Sequence, residues 1–223
     1  MRKIFYFSCG LIFLLGSFSC AQLGVAPTPL EPINLSGSED FTSEPFEVNT
    51  AEWQVYWQYK AAVKRGYNFV IAVYPEGDEA NYTEMVVAPP MPESSGSTYL
   101  YKGNGRYYIK IRAKKIADWK IEVIRTEINV PLTSPATFAG SADTSTKPFK
   151  ITGSEFKINY EMEPTGSWAG QTIAVYPRGE TTSHIVMSTI GPGTGSEVVK
   201  GPGEYYMKVQ CTGVKSWKID VTE

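Results

Sequence analysis

The chain has 223 residues, enough for one large or two ordinary domains, and its 42% hydrophobic and 20% charged residues are typical of folded globular proteins. This composition excludes a largely disordered chain, because such chains combine low hydrophobicity with high net charge. The formal net charge is −2 and no clustered run of Lys and Arg occurs, so no nucleic-acid partner is expected.

Residues 1–20 are predicted to be a signal peptide. Two basic residues are followed by an apolar stretch from Ile4 to Leu15, which is too short to span a bilayer, and then by small residues up to Cys20. The small residues before Cys20 resemble the lipobox of bacterial lipoproteins, in which this Cys is acylated and becomes the new amino terminus. Ser17 departs from that pattern, since such boxes usually carry Leu there.

The other interpretation of the signal is simple secretion, with cleavage after Ala21. The following stretch, residues 21–36, favours the lipoprotein, because its prolines predict an extended spacer that would hold a globular body off a membrane. We therefore predict lipidation at Cys20 and a Pro-rich tether over residues 21–36, with an exported protein of the cell envelope as the outcome.

The remaining chain carries one sequence pattern twice. Pro45-Phe46-x-Val48 recurs as Pro148-Phe149-x-Ile151, and Trp119-Lys120-Ile121-x-Val123 recurs as Trp217-Lys218-Ile219-x-Val221. The offset shortens from 103 to 98 residues along the chain and changes only between the matching blocks, as loops allow. This predicts an internal duplication, with a first repeat over residues 37–128, a linker over 129–139 and a second repeat over 140–223.

Apolar residues alternate with polar ones within each repeat. Trp119, Ile121 and Val123 fall on one face of a strand and Lys120 and Glu122 on the other, as in a half-buried β-strand. Pro and Gly interrupt such runs at short intervals, which is typical of many short strands joined by turns. The predicted fold class is all-β, with two tandem antiparallel β-sandwich domains, Ig-like or jelly-roll-like, of about seven strands each.

The Gly-x-Tyr-Tyr-x-Lys block, at Gly105 and again at Gly203, and the Trp-x-Ile-x-Val ending loosely resemble the small β-sandwich accessory modules of exported bacterial proteins. The resemblance covers the last third of each repeat and implies a non-catalytic accessory role. The paired Asp of some such modules is missing, so the resemblance implies neither a metal nor another cofactor.

Candidate catalytic groups are few. His184 is the only histidine and is predicted to be an exposed strand residue. The carboxylates that recur in both repeats are predicted to be structural, and Glu122 and Asp220 in particular are expected to pair with Lys110 and Lys208. We expect no catalytic and no metal site, while a hydrolase that uses carboxylates of one repeat remains an alternative. Cys211, in a strand, is predicted to be a small core residue.

Outward-facing residues that recur are the remaining candidates for ligand binding. They are Tyr108 with Tyr206 and Lys110 with Lys208, and further tyrosines predicted to be exposed are Tyr56, Tyr99 and Tyr101. Exposed tyrosine rings can serve as flat platforms for sugars, so a carbohydrate-binding module is one hypothesis, which requires Tyr108 and Tyr206 to be exposed. The leading prediction is a non-catalytic envelope lipoprotein that binds an unknown protein or glycan at the cell surface or acts as a structural spacer.

Overall fold

The computed structural model describes residues 30–89, 91–125, 130–191 and 193–223. The N-terminal half contains strands β1 (Ile33–Gly37), β2 (Phe41–Thr42), β3 (Phe46–Val48), β4 (Trp53–Ala61), β5 (Asn68–Pro75), β6 (Glu84–Val87), β7 (Glu93–Leu100), β8 (Gly105–Lys114) and β9 (Ile116–Ile124). The C-terminal half contains β10 (Leu132–Thr133), β11 (Ala136–Gly140), β12 (Thr144–Ser145), β13 (Phe149–Ile151), β14 (Glu155–Pro164), β15 (Gly170–Pro177), β16 (Ile185–Ile190), β17 (Gly193–Lys200), β18 (Gly203–Thr212) and β19 (Val214–Thr222).

The strands form four sheets, two in each half. Sheet 1 has the order β1-β9-β4-β7, and sheet 2 has the order β2-β8-β5-β6 with β3 also paired to β8. Sheet 3 is β11-β19-β14-β17, and sheet 4 is β10-β13-β18-β15-β16 with β12 paired to β18. The predicted all-β sandwich class is confirmed, and the strand order is that of a jelly roll rather than of an immunoglobulin domain.

The inner faces of the paired sheets enclose the cores. Alternation places Trp53, Val55 and Trp57 of β4 in the first core, which also contains Trp119 and Ile121 of β9. The second core contains the equivalent residues Phe156, Ile158, Trp217 and Ile219. The matching blocks of the repeat thus supply the cores, because apolar side chains are stabilised by removal from water.

Each half has a glycine that lies on a buried tryptophan ring. A β-carbon built on Gly37 would lie 2.7 Å from Trp119 Cζ2, and one built on Gly140 would lie 2.5 Å from Trp217 Cζ2. Both distances are far below van der Waals contact, so the ring can pack against the neighbouring strand only where the side chain is absent.

The two halves contact each other through polar groups as well as apolar ones. Ala142 of the C-terminal half packs in the first core. Thr144 Oγ1 donates a 2.5 Å hydrogen bond to the carbonyl oxygen of Ser97, and the backbone N–H of Ser145 donates a 2.9 Å hydrogen bond to Thr98 Oγ1. The outer face of sheet 4 at β12 and β18 is therefore covered by the N-terminal half.

The structure differs from the predicted boundaries at three places. Ile33–Gly37, predicted mostly as tether, is strand β1 and pairs with β9. The predicted linker contains β10 and most of β11, which pair with β13 and β19. The short strands β2, β10 and β12 raise the strand number above the predicted seven, because two residues are too few to show an alternating pattern.

The predicted signal peptide, Cys20 and residues 21–29 of the predicted tether lie outside the described residues. Within the described ranges, no helix is long and apolar enough to cross a membrane.

Candidate functional site

A cleft of about 450 Å³ lies between the two halves. Its N-terminal wall is the outer face of sheet 1 at β4 and β7, and its C-terminal wall is β11 together with residues 141–147. The wall of sheet 1 carries Tyr56 and Tyr99 with the hydroxyls of Ser95 and Ser97. The opposite wall adds Thr137, Phe138 and the small residues at positions 139–142.

Tyr56 and Tyr99 project from neighbouring strands on the same side of sheet 1. Tyr56 pairs in register with Ser97, and Gln54 with Tyr99, so the two rings are diagonal neighbours. Tyr56 is 38% exposed. Partial burial raises the pKa of Tyr99, and a hydrogen bond from the Gln54 side chain opposes this rise. The phenol of Tyr99 is therefore neutral at physiological pH and can donate a hydrogen bond.

Two tryptophan rings line the base of the cleft. Trp57 packs under Gly96, where a β-carbon would lie 2.6 Å from Trp57 Cζ2, and Trp217 packs under Gly140. Trp217 Nε1 donates a 3.1 Å hydrogen bond to the carbonyl oxygen of Ala142. Trp57 Nε1 is buried and has no hydrogen-bond partner among the described residues, which leaves one unused donor beside the cleft.

Asp143 is a buried carboxylate in the C-terminal wall. It accepts a 2.7 Å hydrogen bond from the backbone N–H of Cys211 and a further one from the backbone N–H of Val87. Burial raises its pKa to about 6. In the first repeat Asp40 holds the backbone N–H of Ala113 in the same way at 2.8 Å, so the recurring Asp is explained as a backbone clamp.

Glu84 lies in the interface between the two halves, called the joint below, and is also buried. Its carboxylate accepts hydrogen bonds from Lys208 Nζ at 3.1 Å, Ser145 Oγ at 3.1 Å and Thr98 Oγ1 at 3.3 Å. Burial raises the pKa of Glu84, and the charge of Lys208 opposes this rise. Glu84 does not line the cleft, and its charge contributes to the raised pKa of Asp143.

A second ion pair crosses the joint at its edge. Arg178 Nε and Nη2 donate to the two oxygens of Glu52 at 2.7 and 2.8 Å, and its Nη1 donates to Glu204 Oε2 at 2.6 Å. Because the Arg178–Glu52 pair is bidentate, it constrains the relative orientation of the two halves and also holds them together.

The predicted ligand-binding tyrosines are buried, which corrects the expectation that they form an exposed sugar platform. Tyr108 is 8% exposed and stacks on Tyr74 with ring centroids 5.4 Å apart. Tyr206 is 2% exposed and stacks on Tyr176 at 5.1 Å and on Tyr101 at 3.7 Å. Both face outward from their sheets as predicted. Tyr108 packs on Tyr74 of the neighbouring strand, whereas Tyr206 lies where the outer face of sheet 4 is covered by the other half.

The predicted lysines have separate roles. Lys110 Nζ lies over the rings of Tyr74 and Tyr108, at 5.0 and 5.4 Å from their centroids, whereas Lys208 pairs with Glu84. The expected pairing of Lys110 with Glu122 is wrong, because β8 belongs to sheet 2 and β9 to sheet 1. The expected pairing of Lys208 with Asp220 is wrong as well, since Asp220 pairs with Lys218 at 2.6 Å.

The other candidates have ordinary surroundings. His184 is exposed, and Cys211 is half-buried beside the second core, where burial raises the pKa of its thiol to about 12. Among the described residues no group of three or more His, Cys, Asp or Glu side chains is placed to hold a metal ion.

The cleft itself was not predicted, because its walls come from different repeats. Tyr56 and Tyr99 were among the tyrosines predicted to be exposed, which was the only sequence signal for it. The hydroxyl of Thr144 gave no signal, since its bond to the carbonyl oxygen of Ser97 forms only where the halves meet.

No protein-family model matches the chain, and no curated protein matches it. Solved structures match weakly. The PBSX exported protein XepA is 14% identical, with 87% of this chain and 86% of that chain covered and a TM-score of 0.26. The M60 catalytic domain with the CBM51-1 and CBM51-2 domains of Clostridium perfringens ZmpB is 6% identical, with 85% and 34% covered and a TM-score of 0.25.

The N-terminal CBM22-1-CBM22-2 tandem domain of Paenibacillus barcinonensis Xyn10C is 8% identical, with 79% of this chain and 72% of that chain covered and a TM-score of 0.25. At such low TM-scores these resemblances support no functional argument and identify no family.

Proposed function

We propose that the protein is a non-catalytic, exported binding protein of the bacterial cell envelope, attached through Cys20, and that the cleft between its halves binds a glycan. The observation that carries the glycan proposal is the pairing of two tyrosine rings with hydroxyl side chains in one cleft. Sugars present apolar C–H faces and many hydroxyls, so a ring beside hydrogen-bonding groups suits them.

The size and charge of the cleft agree with this ligand. Its volume of about 450 Å³ lies within the range of roughly 300–1,000 Å³ found for small-molecule sites. Asp143 and Lys147 are its charged lining residues, and the Asp143 carboxylate is occupied by backbone N–H groups. The remaining lining is neutral, which favours an uncharged oligosaccharide over a polyanionic one.

The test is binding of soluble cello-, xylo- and chitohexaose, measured by isothermal titration calorimetry. We expect one of them to bind, and Tyr56→Ala and Tyr99→Ala to weaken its binding by about tenfold each, since each ring supplies on the order of 1–2 kcal/mol. Tyr82→Ala is the control, because Tyr82 is 50% exposed and lies outside the cleft. Failure of all three probes to bind, or equal losses in the control, would refute the glycan site.

The hydrolase alternative and the membrane attachment have separate tests. Release of new reducing ends from these oligosaccharides, abolished by Asp143→Asn, would replace the binding proposal with a carboxylate-dependent hydrolase. Metabolic labelling of the full chain with a fatty-acid probe should label the protein, and Cys20→Ser should remove the label. An unlabelled protein would indicate simple secretion.

A further inference from the structure

One end of the molecule combines exposed apolar side chains with unpaired basic ones. This end, called the basic-apolar end, consists of the loops Ala62–Tyr67, Lys114–Ile116, Pro164–Gly170, Thr189–Gly191 and Thr212–Val214. Its apolar part is unusual for a soluble surface, because Trp168 is 88% exposed and Ile190 is 85% exposed.

The apolar part is held in place by backbone contacts. The N–H of Gly191 donates a 2.8 Å hydrogen bond to the carbonyl oxygen of Ala169, so the loops that carry Trp168 and Ile190 are adjacent. A β-carbon on Gly213 would lie 2.5 Å from the carbonyl oxygen of Trp168, so the third loop lies directly against them. These three loops contain no charged residue.

The basic part comes from the equivalent loops of the first repeat. Lys64, Arg65, Lys114 and Lys115 are all exposed, and none of them has an ion-pair partner among the described residues. The N–H of Ala62 donates a 2.9 Å hydrogen bond to the carbonyl oxygen of Lys115, which brings the two basic loops together.

Lys115 occupies a position that favours glycine. The sheet registers make it equivalent to Gly213, and both residues have positive φ, at 56° for Lys115 and 63° for Gly213. A left-handed conformation is less favourable for lysine than for glycine, because glycine has no β-carbon. The first repeat therefore carries a charge at the tip of this turn at a cost in stability.

The basic and apolar parts lie on the same end of the molecule. Tyr67 and Asn68 of the first repeat line a shared groove with Gly213 and Val214 of the second. Acidic side chains also lie near this end. Asp40 Oδ1 accepts a 2.8 Å hydrogen bond from the backbone N–H of Ala113, next to Lys114. Asp118 and Glu93 lie in register with Lys60 on either side, and Glu163 is paired with Lys215 at 2.7 Å.

We propose that the basic-apolar end docks on an anionic lipid bilayer, with the four basic side chains on the lipid phosphates and Trp168 and Ile190 in the interfacial layer. Basic residues beside a bilayer gain from its negative surface potential, and Trp is favoured at the level of the headgroups. An acidic protein or glycan would satisfy the charges but leave no reason for an exposed Trp and Ile beside them. This inference is independent of the glycan cleft.

The geometry allows this docking together with the lipid attachment. The chain enters the fold at the opposite end, where Arg125 donates hydrogen bonds to the carbonyl oxygens of Glu31 and Glu47. Residues 21–29 span at most about 30 Å when extended, and a strand of nine residues such as β9 has about the same length. Cys20 and the basic-apolar end can therefore reach one bilayer.

The test uses the chain from Ala21 to Glu223, which keeps every described residue and carries no lipid. The protein should sediment with vesicles of phosphatidylcholine and phosphatidylglycerol at 70:30. A much smaller fraction of it should sediment with vesicles of phosphatidylcholine alone. Binding should also shift the tryptophan emission to shorter wavelength. That shift reports on Trp168, because the other four tryptophans are at most 4% exposed.

The variant K64Q/R65Q/K114Q/K115Q should lower partitioning into anionic vesicles at least a hundredfold, since each basic residue near such a surface contributes about fivefold. W168A/I190S should lower it about tenfold or more and abolish the spectral shift. The matched control K120Q/K150Q/K157Q/K200Q removes the same charge from exposed positions elsewhere and should lower it no more than about fivefold.

Three results would overturn the proposal. They are no difference between anionic and neutral vesicles, equal losses in the quadruple variant and its control, and binding to soluble polyphosphate with none to vesicles. The last result would assign the basic residues to a soluble polyanion.

Discussion

Tyr101 of the N-terminal half and Tyr206 of the C-terminal half stack with their ring centroids 3.7 Å apart and their planes 19° apart. Tyr101 Oη also donates a 2.6 Å hydrogen bond to the carbonyl oxygen of Thr146. One side chain thus supplies both an apolar and a polar contact across the joint between the halves.

Tyr101→Ala should lower the free energy of unfolding by about 2–4 kcal/mol, because it removes a packed ring and leaves the other half of the stack uncovered. Tyr101→Phe should lose only about 1 kcal/mol, since it keeps the ring and removes the hydrogen bond. Urea denaturation measures both, with Tyr82→Ala as an exposed control that should change stability by less than about 0.5 kcal/mol. Similar losses in Tyr101→Ala and the control would show that the joint does not depend on the stack.

Glu84 and Lys208 should be energetically coupled. Glu84→Gln leaves the ammonium of Lys208 in the joint without its counter-charge and should lower stability by about 1–3 kcal/mol. The double variant Glu84→Gln/Lys208→Met should lose less than the sum of the two single losses, by at least about 0.5 kcal/mol. Strict additivity in a double-mutant cycle would mean that the pair contributes nothing of its own.

Asp143 should make stability depend on pH. Its pKa is raised by burial to about 6 from an ordinary value of 3.8, so the folded protein binds this proton more tightly than the unfolded chain. The stabilisation is complete below about pH 4 and is lost as pH rises through 6, by at most about 2–3 kcal/mol. Asp143→Asn keeps an acceptor for the N–H of Cys211 and cannot titrate.

The measurement for Asp143 is the free energy of unfolding of both proteins at several pH values between 4 and 7. As the pH rises from 4 to 7, the free energy of unfolding of Asp143→Asn should increase relative to that of the protein with Asp143. Parallel curves would show that Asp143 titrates normally in the folded state.

Gly140→Ala should be among the most damaging single-methyl changes in the chain. The added carbon would lie 2.5 Å from Trp217 Cζ2, so the ring or the strand must move, at a cost of about 2 kcal/mol or more. Gly166→Ala is the matched control, because nothing lies within 4 Å of the added carbon. Thermal unfolding should separate the two variants by several degrees, and equal melting temperatures would contradict the predicted contact.

The sequence predicted the parts of the fold that depend on local alternation. Trp119 and Trp217 were predicted to face a core, and they do, because the period of two fixes which side of a strand a residue occupies. The same period correctly predicted that Tyr206 faces outward from its sheet. It could not predict that Tyr206 is buried, because the ring of Tyr101 that covers it comes from the other half. The position of a second layer of protein is not encoded in the pattern of a single strand.

The candidate cleft was less predictable than the fold for the same reason. Tyr56 was predicted to be exposed, yet the residues that face it across the cleft begin at Thr137, which belongs to the other repeat. Trp168 had a local signal, because it lies between Gly166 and Gly170 and outside every alternating run.

The contacts between the two repeats are asymmetric. Leu100 and Val199 are equivalent in the sheet registers, and Gly103 and Gly201 are equivalent in the repeat, so the first repeat has one residue more between them and Tyr101 has no counterpart. Glu84 is likewise replaced by Ile185 in the second repeat. A third copy packed on the second repeat in the same way would find neither contact, so these two contacts join the first repeat to the second only.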